Sequence, residues 1–291
     1  SKGLLQNLDL PKYSSHIEQL KKQSVGKSHE SYYINNKQWA LAIDAASQTA
    51  CYREDLIPSY PSNWNALLDL AKNNRVLWPL KPVHAISSFY SVYNNITTEL
   101  MPDQKKFIDK NFGVETLTMM KAVSKELITD CLTMDPIQTA ELMTETNDFF
   151  YCPYIYGFSN YSRKNYRKYI LKYIDVINLS GKGPAGTHLG GTGIAVSNVS
   201  KNKDLAIEYA FWIASAECQK SLFYESGGQP GNSVAWEDDK INEETNNFFR
   251  GTRKTLDLAW VRPRHNGYMK FQDESGNLIN EYLQLEMKAE S

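Results

Sequence analysis

From Gln38 to the tail, short strand-like runs alternate with stretches whose apolar residues recur at helical spacing, which confines the chain to the α/β class. Gln38–Ile43 and Gln48–Tyr52 read as strands separated by the small, polar run Asp44-Ala45-Ala46-Ser47. Pro58 and Pro61 break the chain, and Ser62 stands at an N-cap position ahead of Trp64, Leu67, Leu68 and Ala71. Arg75–Pro79 reads as a short strand and Ala85–Tyr93 as a helix. Apolar positions from Phe107 to Leu127 predict a helix within 104–129, and Pro136 opens another through Met143. Asp148–Cys152 reads as a strand ended by Pro153, and Tyr169–Leu179 as one strand or a pair. Ile194–Ser197 follows as a strand, then helices over Leu205–Ala214, Glu217–Tyr224 and Gly276–Met287. Ser14–Lys22 is a short capped helix.

Size and charge narrow the function classes. At about 150 residues per domain, 291 residues allow two domains or one large one. Lys plus Arg numbers 32 against 33 for Asp plus Glu, so no basic face exists on the scale that nucleic acid or an anionic membrane requires. No run of about 18 apolar residues spans a membrane, and the first residues do not read as a signal peptide, which fits an exported protein with its leader removed, a fragment or a cytosolic protein alike. Cys51, Cys131, Cys152 and Cys218 form no C-x-x-C pair and read as buried thiols, although their even number permits one or two bridges.

Catalytic motifs do not assemble. Gly181-Lys182-Gly183 and Gly190-Gly191-Thr192-Gly193 lack both the P-loop ending and the dinucleotide-binding spacing, and a strand follows them rather than a helix. They read as turns or as close approaches of backbone to a ligand. No Gly-x-Ser-x-Gly elbow exists, and His16, His29, His84, His188 and His265 form no metal-ligand pair. No cofactor or metal is implied. Trp78, Tyr154, Tyr156, Tyr161, Trp236 and Tyr268 stand beside Pro, Gly or Asn, where aromatic rings can stack on the apolar face of a sugar. Asp44, Gln48, Asn160 and Gln229 share that loop context and could serve its hydroxyls.

The order of several motifs carries a resemblance. Trp39-Ala-Leu-Ala-Ile-Asp, Thr49-Ala-Cys-Tyr-Arg-Glu-Asp-Leu and Pro61-Ser-Asn-Trp-Asn-Ala-Leu-Leu occur in succession. Leu189-Gly-Gly-Thr-Gly-Ile-Ala-Val-Ser, Ser215-Ala-Glu-Cys-Gln and Gly227-Gly-Gln-Pro-Gly follow. Together, from about Gly3 to the tail, they resemble the family 1 extracellular solute-binding proteins, the capture subunits of sugar-type ABC importers. The resemblance implies a periplasmic-binding-protein-like (type II) two-lobe α/β fold with hinge strands. Segments 1–48 and 190–260 would form the N-terminal-type lobe, and 49–189 and 261–291 the C-terminal-type lobe. Crossings are expected near Asp44–Cys51, Gly186–Gly193 and Trp260–Arg264, where small residues absorb the φ/ψ changes of closure.

Carried over to this chain, the family's ligand positions fall on Asp44, Gln48, Lys81, Tyr154, Asn160, His188, Gly190, Gly191 and Tyr268. Tyr154 and Tyr268 would stack on the ligand, and Asp44, Gln48 and Lys81 would hydrogen-bond it. The implied function is non-enzymatic: a monomeric periplasmic or extracellular receptor that delivers a small hydroxyl-rich ligand to an ABC transporter permease. An enzyme using the Gly190-Gly191 turn, or a sensor without a transport role, are the alternatives. Two departures stand out. The strand–helix–strand unit that precedes Gly3-Leu4-Leu5 in relatives is absent here, so the N-terminal lobe is expected to be incomplete, with an exposed sheet edge. Lys81 stands where sugar binders commonly carry an acidic residue.

Overall fold

Two separate hydrophobic cores organise the computed structural model, which describes residues 3–97, 108–179 and 186–285. The elements along the chain are α1 (Ser14–Lys22), β1 (Tyr33–Ile34), β2 (Lys37–Gln38), β3 (Leu41–Ala42), β4 (Gln48–Tyr52), α2 (Trp64–Lys72) and α3 (Pro82–Thr97). They continue with α4 (Lys110–Ser124), α5 (Pro136–Glu145), β5 (Tyr151–Tyr156), β6 (Lys172–Ile174), β7 (Gly193–Ile194) and α6 (Lys203–Ala214). The last are α7 (Ala216–Lys220), α8 (Leu222–Glu225), α9 (Ser233–Trp236), α10 (Asp239–Glu244), α11 (Phe248–Asp257) and α12 (Tyr268–Gln284). Gly181–Ala185, the first residues of the helix expected over 104–129 and the last of the tail helix lie outside the described residues.

The smaller core joins Leu8, Tyr13 and Leu41 to Val196 and to Ile207, Ala210, Phe211 and Ala214 of α6. Tyr13 stacks on Phe211 with centroids 4.5 Å apart. Its sheet is the antiparallel pair β3–β7, and Leu5 bridges Ser197 beside it.

The larger core surrounds an antiparallel sheet of order β5-β4-β6. Every residue of the central strand β4 is buried, so both of its faces are covered. Strand alternation sends Gln48 towards α3, where it bonds Ser88 and Ser91, and Thr49 towards Phe248 of α11. Pro153 does not end the strand as expected. The β4–β5 register shifts between Thr49 and Cys51, and this irregularity accommodates a residue with no N–H to donate. Arg75–Pro79 forms only a single parallel bridge, Val76 to Tyr151, instead of a strand. Of the strand expected over Tyr169–Leu179, Lys172–Ile174 pairs. Helix α12 packs closely on α3, since a Cβ on Gly276 would stand 2.6 Å from the carbonyl oxygen of Pro82.

Core membership shows where the chain passes between the two bodies. Val25 already packs in the larger core; after Leu41 and Ile43 in the smaller one the chain enters the larger again at Ala45, returns between Leu189 and Ile194, and leaves again between Ala214 and Tyr224. The passages at Ile43–Ala45 and Leu189–Ile194 run through small residues and glycines. Trp260 packs in the larger core, and so do Tyr224, Trp236, Phe248, Phe249 and Leu256, which the sequence groups with the other body. Their side chains cover the β4–β6 sheet, and α11 lies against β6.

Candidate functional site: a cleft at the crossing strands

A cavity of about 580 Å³ opens where the two bodies meet. That volume lies within the range of small-molecule sites, about 300–1,000 Å³. From the smaller body come Ile43 and Thr192; the larger supplies Val83, His84 and Ser87 of α3, Tyr156 at the end of β5, and the loop Gly157–Asn160. Phe223, Gly227, Gln229, His188, Arg262 and Gln272 complete the wall.

The backbone at its base is a convergence of chain passages on Asp44. Ile43 and Asp44 both donate to the carbonyl of Thr192, at 3.0 and 3.1 Å, and Gly190 donates to Ala46 at 2.7 Å. Gly231 also lies against this strand: a Cβ there would be 2.9 Å from the Asp44 nitrogen. Gln229 fastens the passage to the end of β5, because its Nε2 donates to the carbonyls of Ala45 and Gly157 while its Oε1 accepts from Ser159 N–H. Asn160 donates to the carbonyl of Gly227 at 3.1 Å. Gly190 leaves room for the Tyr156 ring, whose Cε1 would lie 2.8 Å from a Cβ.

Four titratable groups in the wall are perturbed by burial, among them the Tyr156 hydroxyl, which desolvation pushes up to about 12. Asp44 has its carboxyl pushed up from 3.8 to about 7 by desolvation alone, and its Oδ1 is buried without a hydrogen-bond partner. His188 is held down at about 3, first by desolvation and then by the charges of Arg262 and Arg264. Its Nδ1 lies 2.7 Å from Tyr156 Oη and 3.1 Å from Ser87 Oγ, and its ring stacks on Trp260. His84 is lowered to about 4, mainly by burial. Both imidazoles are therefore neutral at pH 7. Among the described residues neither pairs with a carboxylate, and no cluster of His, Cys, Asp and Glu could hold a metal ion.

Of the residues the sequence points to, Asp44, Asn160, His188, Gly190 and Gly191 line the cavity. Four others lie elsewhere. Gln48 is fully buried beneath α3, with its amide saturated by Ser88 and Ser91. Lys81 is exposed just before α3 and its side chain is not in the wall. Tyr154 is a core residue, stacked on Trp78 with its hydroxyl accepting from Asn95. Tyr268 is buried against Tyr90. Among the six aromatics singled out beside Pro, Gly or Asn, Tyr156 alone lines the cavity; Trp78, Tyr154, Tyr161, Trp236 and Tyr268 are buried.

Lining residues that the sequence does not single out as ligand positions include His84, Ser87, Arg262 and Gln272, whereas Tyr156 is named only among the loop aromatics. Several lie a structural period away from a predicted position. Tyr156 is two residues beyond Tyr154 on β5, and Gln272 is one turn beyond Tyr268 on α12. His84 stands three residues after Lys81.

No protein-family model matches the chain, and no curated protein matches it. Solved structures do. Maltose-bound MalE3 of T. maritima superposes with a TM-score of 0.82 at 16% identity, over 97% of this chain and 76% of that one. An ABC transporter solute-binding protein of Agrobacterium radiobacter in complex with ribitol gives 0.80 at 16% identity, over 98% and 76%. Another from Thermotoga lettingae, bound with alpha-D-tagatose, gives 0.78 at 15%, over 99% and 77%. The fold is that of the two-lobe ABC transporter solute-binding proteins. In that fold the cavity described above lies between the lobes, at the crossing strands.

Proposed function

We propose that this chain is a receptor for a small hydroxyl-rich solute, binding it between the two lobes without chemical turnover. The observation that carries this reading is the Asp44 carboxyl, buried at the convergence of the crossing strands with one oxygen unpartnered on the cavity wall. A buried polar atom without a partner is costly, and a ligand hydroxyl donating to it would relieve that cost. Asn160 sets a further planar amide at the same space, Gln229 holds the loop that carries it, and Tyr156 and Phe223 give apolar surface for the face of a sugar or polyol. The superposed proteins carry maltose, ribitol and tagatose, in line with this ligand class.

Binding would favour the closed arrangement only through contacts the ligand makes with both lobes, here Asp44 and Thr192 on one side and α3 with α12 on the other. We extend the reading to an extracytoplasmic monomer that presents its closed form to an ABC importer permease. Isothermal titration against monosaccharides, disaccharides, polyols, amino acids and polyamines tests it. Saturable binding of a sugar or polyol, weakened by Asp44→Ala, is expected. A panel without any binder, or one bound only by ligands lacking hydroxyls, overturns it.

A further inference from the structure

Arg262 is the only cationic side chain in the cavity wall, and it has no carboxylate partner among the described residues. Its single side-chain hydrogen bond runs from Nη1 to Gln272 Oε1 at 3.3 Å. A guanidinium carries five N–H donors in a planar fork, so most of this fork is unspent, and Gln272 holds it in place. Arg264, two residues on, adds a second positive charge close enough to lower His188 together with Arg262. Arg264 is itself held below its ordinary value, first by burial and then by the charge of Arg262.

Asp44 does not offset this charge. It is the one acidic residue in the wall, and a guanidinium beside it would pull its carboxyl down. Burial instead raises it to about 7, with no cation opposing the rise. The cleft thus presents an unpaired guanidinium fork in one part of its wall and a carboxyl of weak acidity, suited to hydroxyls, in another.

We propose that the ligand is a hydroxyl-rich carboxylate, a uronic or aldonic acid, whose carboxylate pairs with Arg262 while its hydroxyls meet Asp44 and Asn160. This rests on the receptor reading above and names the substrate class of the same site. A carboxylate matches the guanidinium fork in a two-bond geometry that a neutral hydroxyl cannot reproduce, and charge-assisted bonds of this kind are roughly twice as strong as neutral ones.

The test measures affinity for matched pairs: D-galacturonate with D-galactose, D-glucuronate with D-glucose, and D-gluconate with D-sorbitol. At least one acid is expected to bind about tenfold or more tightly than its neutral partner, with the preference shrinking as salt is raised. Arg262→Gln should abolish the preference and Arg262→Lys should keep part of it, while Lys81→Gln, an exposed cation outside the wall, should leave it intact. Thermal melts of each variant confirm folding. Neutral sugars binding as tightly as their acids, or a preference that survives Arg262→Gln, would overturn the acidic-ligand inference and leave the receptor reading standing. Absence of binding by acids, neutral sugars and polyols alike would remove both.

Discussion

Gly191 sits so close to Asp44 that a Cβ on it would be 2.5 Å from the Asp44 carbonyl oxygen. Its φ of 98° lies in the left-handed region, which side chains disfavour for their own reasons. The reciprocal hydrogen bonds between Asp44 and Thr192 close the same turn of the molecule. The backbone of Asp44 can therefore approach this passage only because position 191 carries no side chain.

Gly191→Ala should cost about 1–3 kcal/mol, because backbone strain and a backbone clash coincide at one residue. Urea unfolding measures the loss, and the same variant should bind ligand more weakly because Asp44 must shift. A stability equal to that of the parent would show that the two passages do not pack this closely.

Asp44→Asn should change how stability depends on pH. Burial raises the native carboxyl from 3.8 to about 7, so between these values the folded chain keeps a proton that the unfolded chain has lost. Stability falls as pH rises through this window, by about 1.4 kcal/mol per pH unit at most, and is level above it. The asparagine variant lacks that slope. Unfolding free energies of both proteins at pH 5 and pH 8 should therefore diverge in favour of the variant at the higher pH.

His188 and His84 act with the opposite sign. Their native values, about 3 and about 4, lie below the ordinary 6.5, so the unfolded chain takes up protons first on acidification. Each removes up to about 1.4 kcal/mol per pH unit as pH falls below 6.5. Two histidines outweigh the single Asp44, so their combined effect is a loss of stability from pH 6.5 towards pH 4. His188→Asn should flatten that acid limb in a urea-midpoint series; an unchanged slope would mean that His188 is not held neutral by its surroundings.

Tyr154→Phe separates the core from the cleft. The hydroxyl accepts from Asn95 Nδ2 at 3.3 Å, and that amide also donates to the carbonyl of Ile177. Losing one bond while the donor keeps another should cost about 1 kcal/mol. Ligand affinity should stay the same, since the ring stacks on Trp78 inside the core. A tenfold drop in affinity would instead place Tyr154 in contact with ligand.

Local patterns were legible where the physics is local. Strand β4 begins and ends where the sequence predicts, α1 and α6 agree within two residues, and Pro136 opens α5 behind an Asp135 capping box. The passages at Ile43–Ala45 and Leu189–Ile194 follow the small residues at Asp44–Ser47 and the glycines at 190–193. Site residues were legible only where the backbone itself approaches the cavity. A side chain's place depends on which way a strand or helix is turned, and that is set by partners distant in sequence. Position along an element is set in the same way: Tyr154 and Tyr156 share a face of β5, and Tyr268 and Gln272 one of α12, yet the cavity reaches only Tyr156 and Gln272.

The sequence by itself determined the α/β alternation, because periodicity acts within a few residues, and the two-lobe fold was legible only through the resemblance its motifs carry. Only the tertiary structure decided which aromatics became core. It also decided that Tyr224 and Trp236 pack in the larger core, and that Arg262 reaches the cleft without a carboxylate partner among the described residues. Those outcomes rest on packing between segments up to two hundred residues apart, as when Asn280 of α12 donates to the carbonyl of Leu80 at 2.7 Å. No local pattern encodes such a contact, because its free energy exists only once both segments are folded against each other.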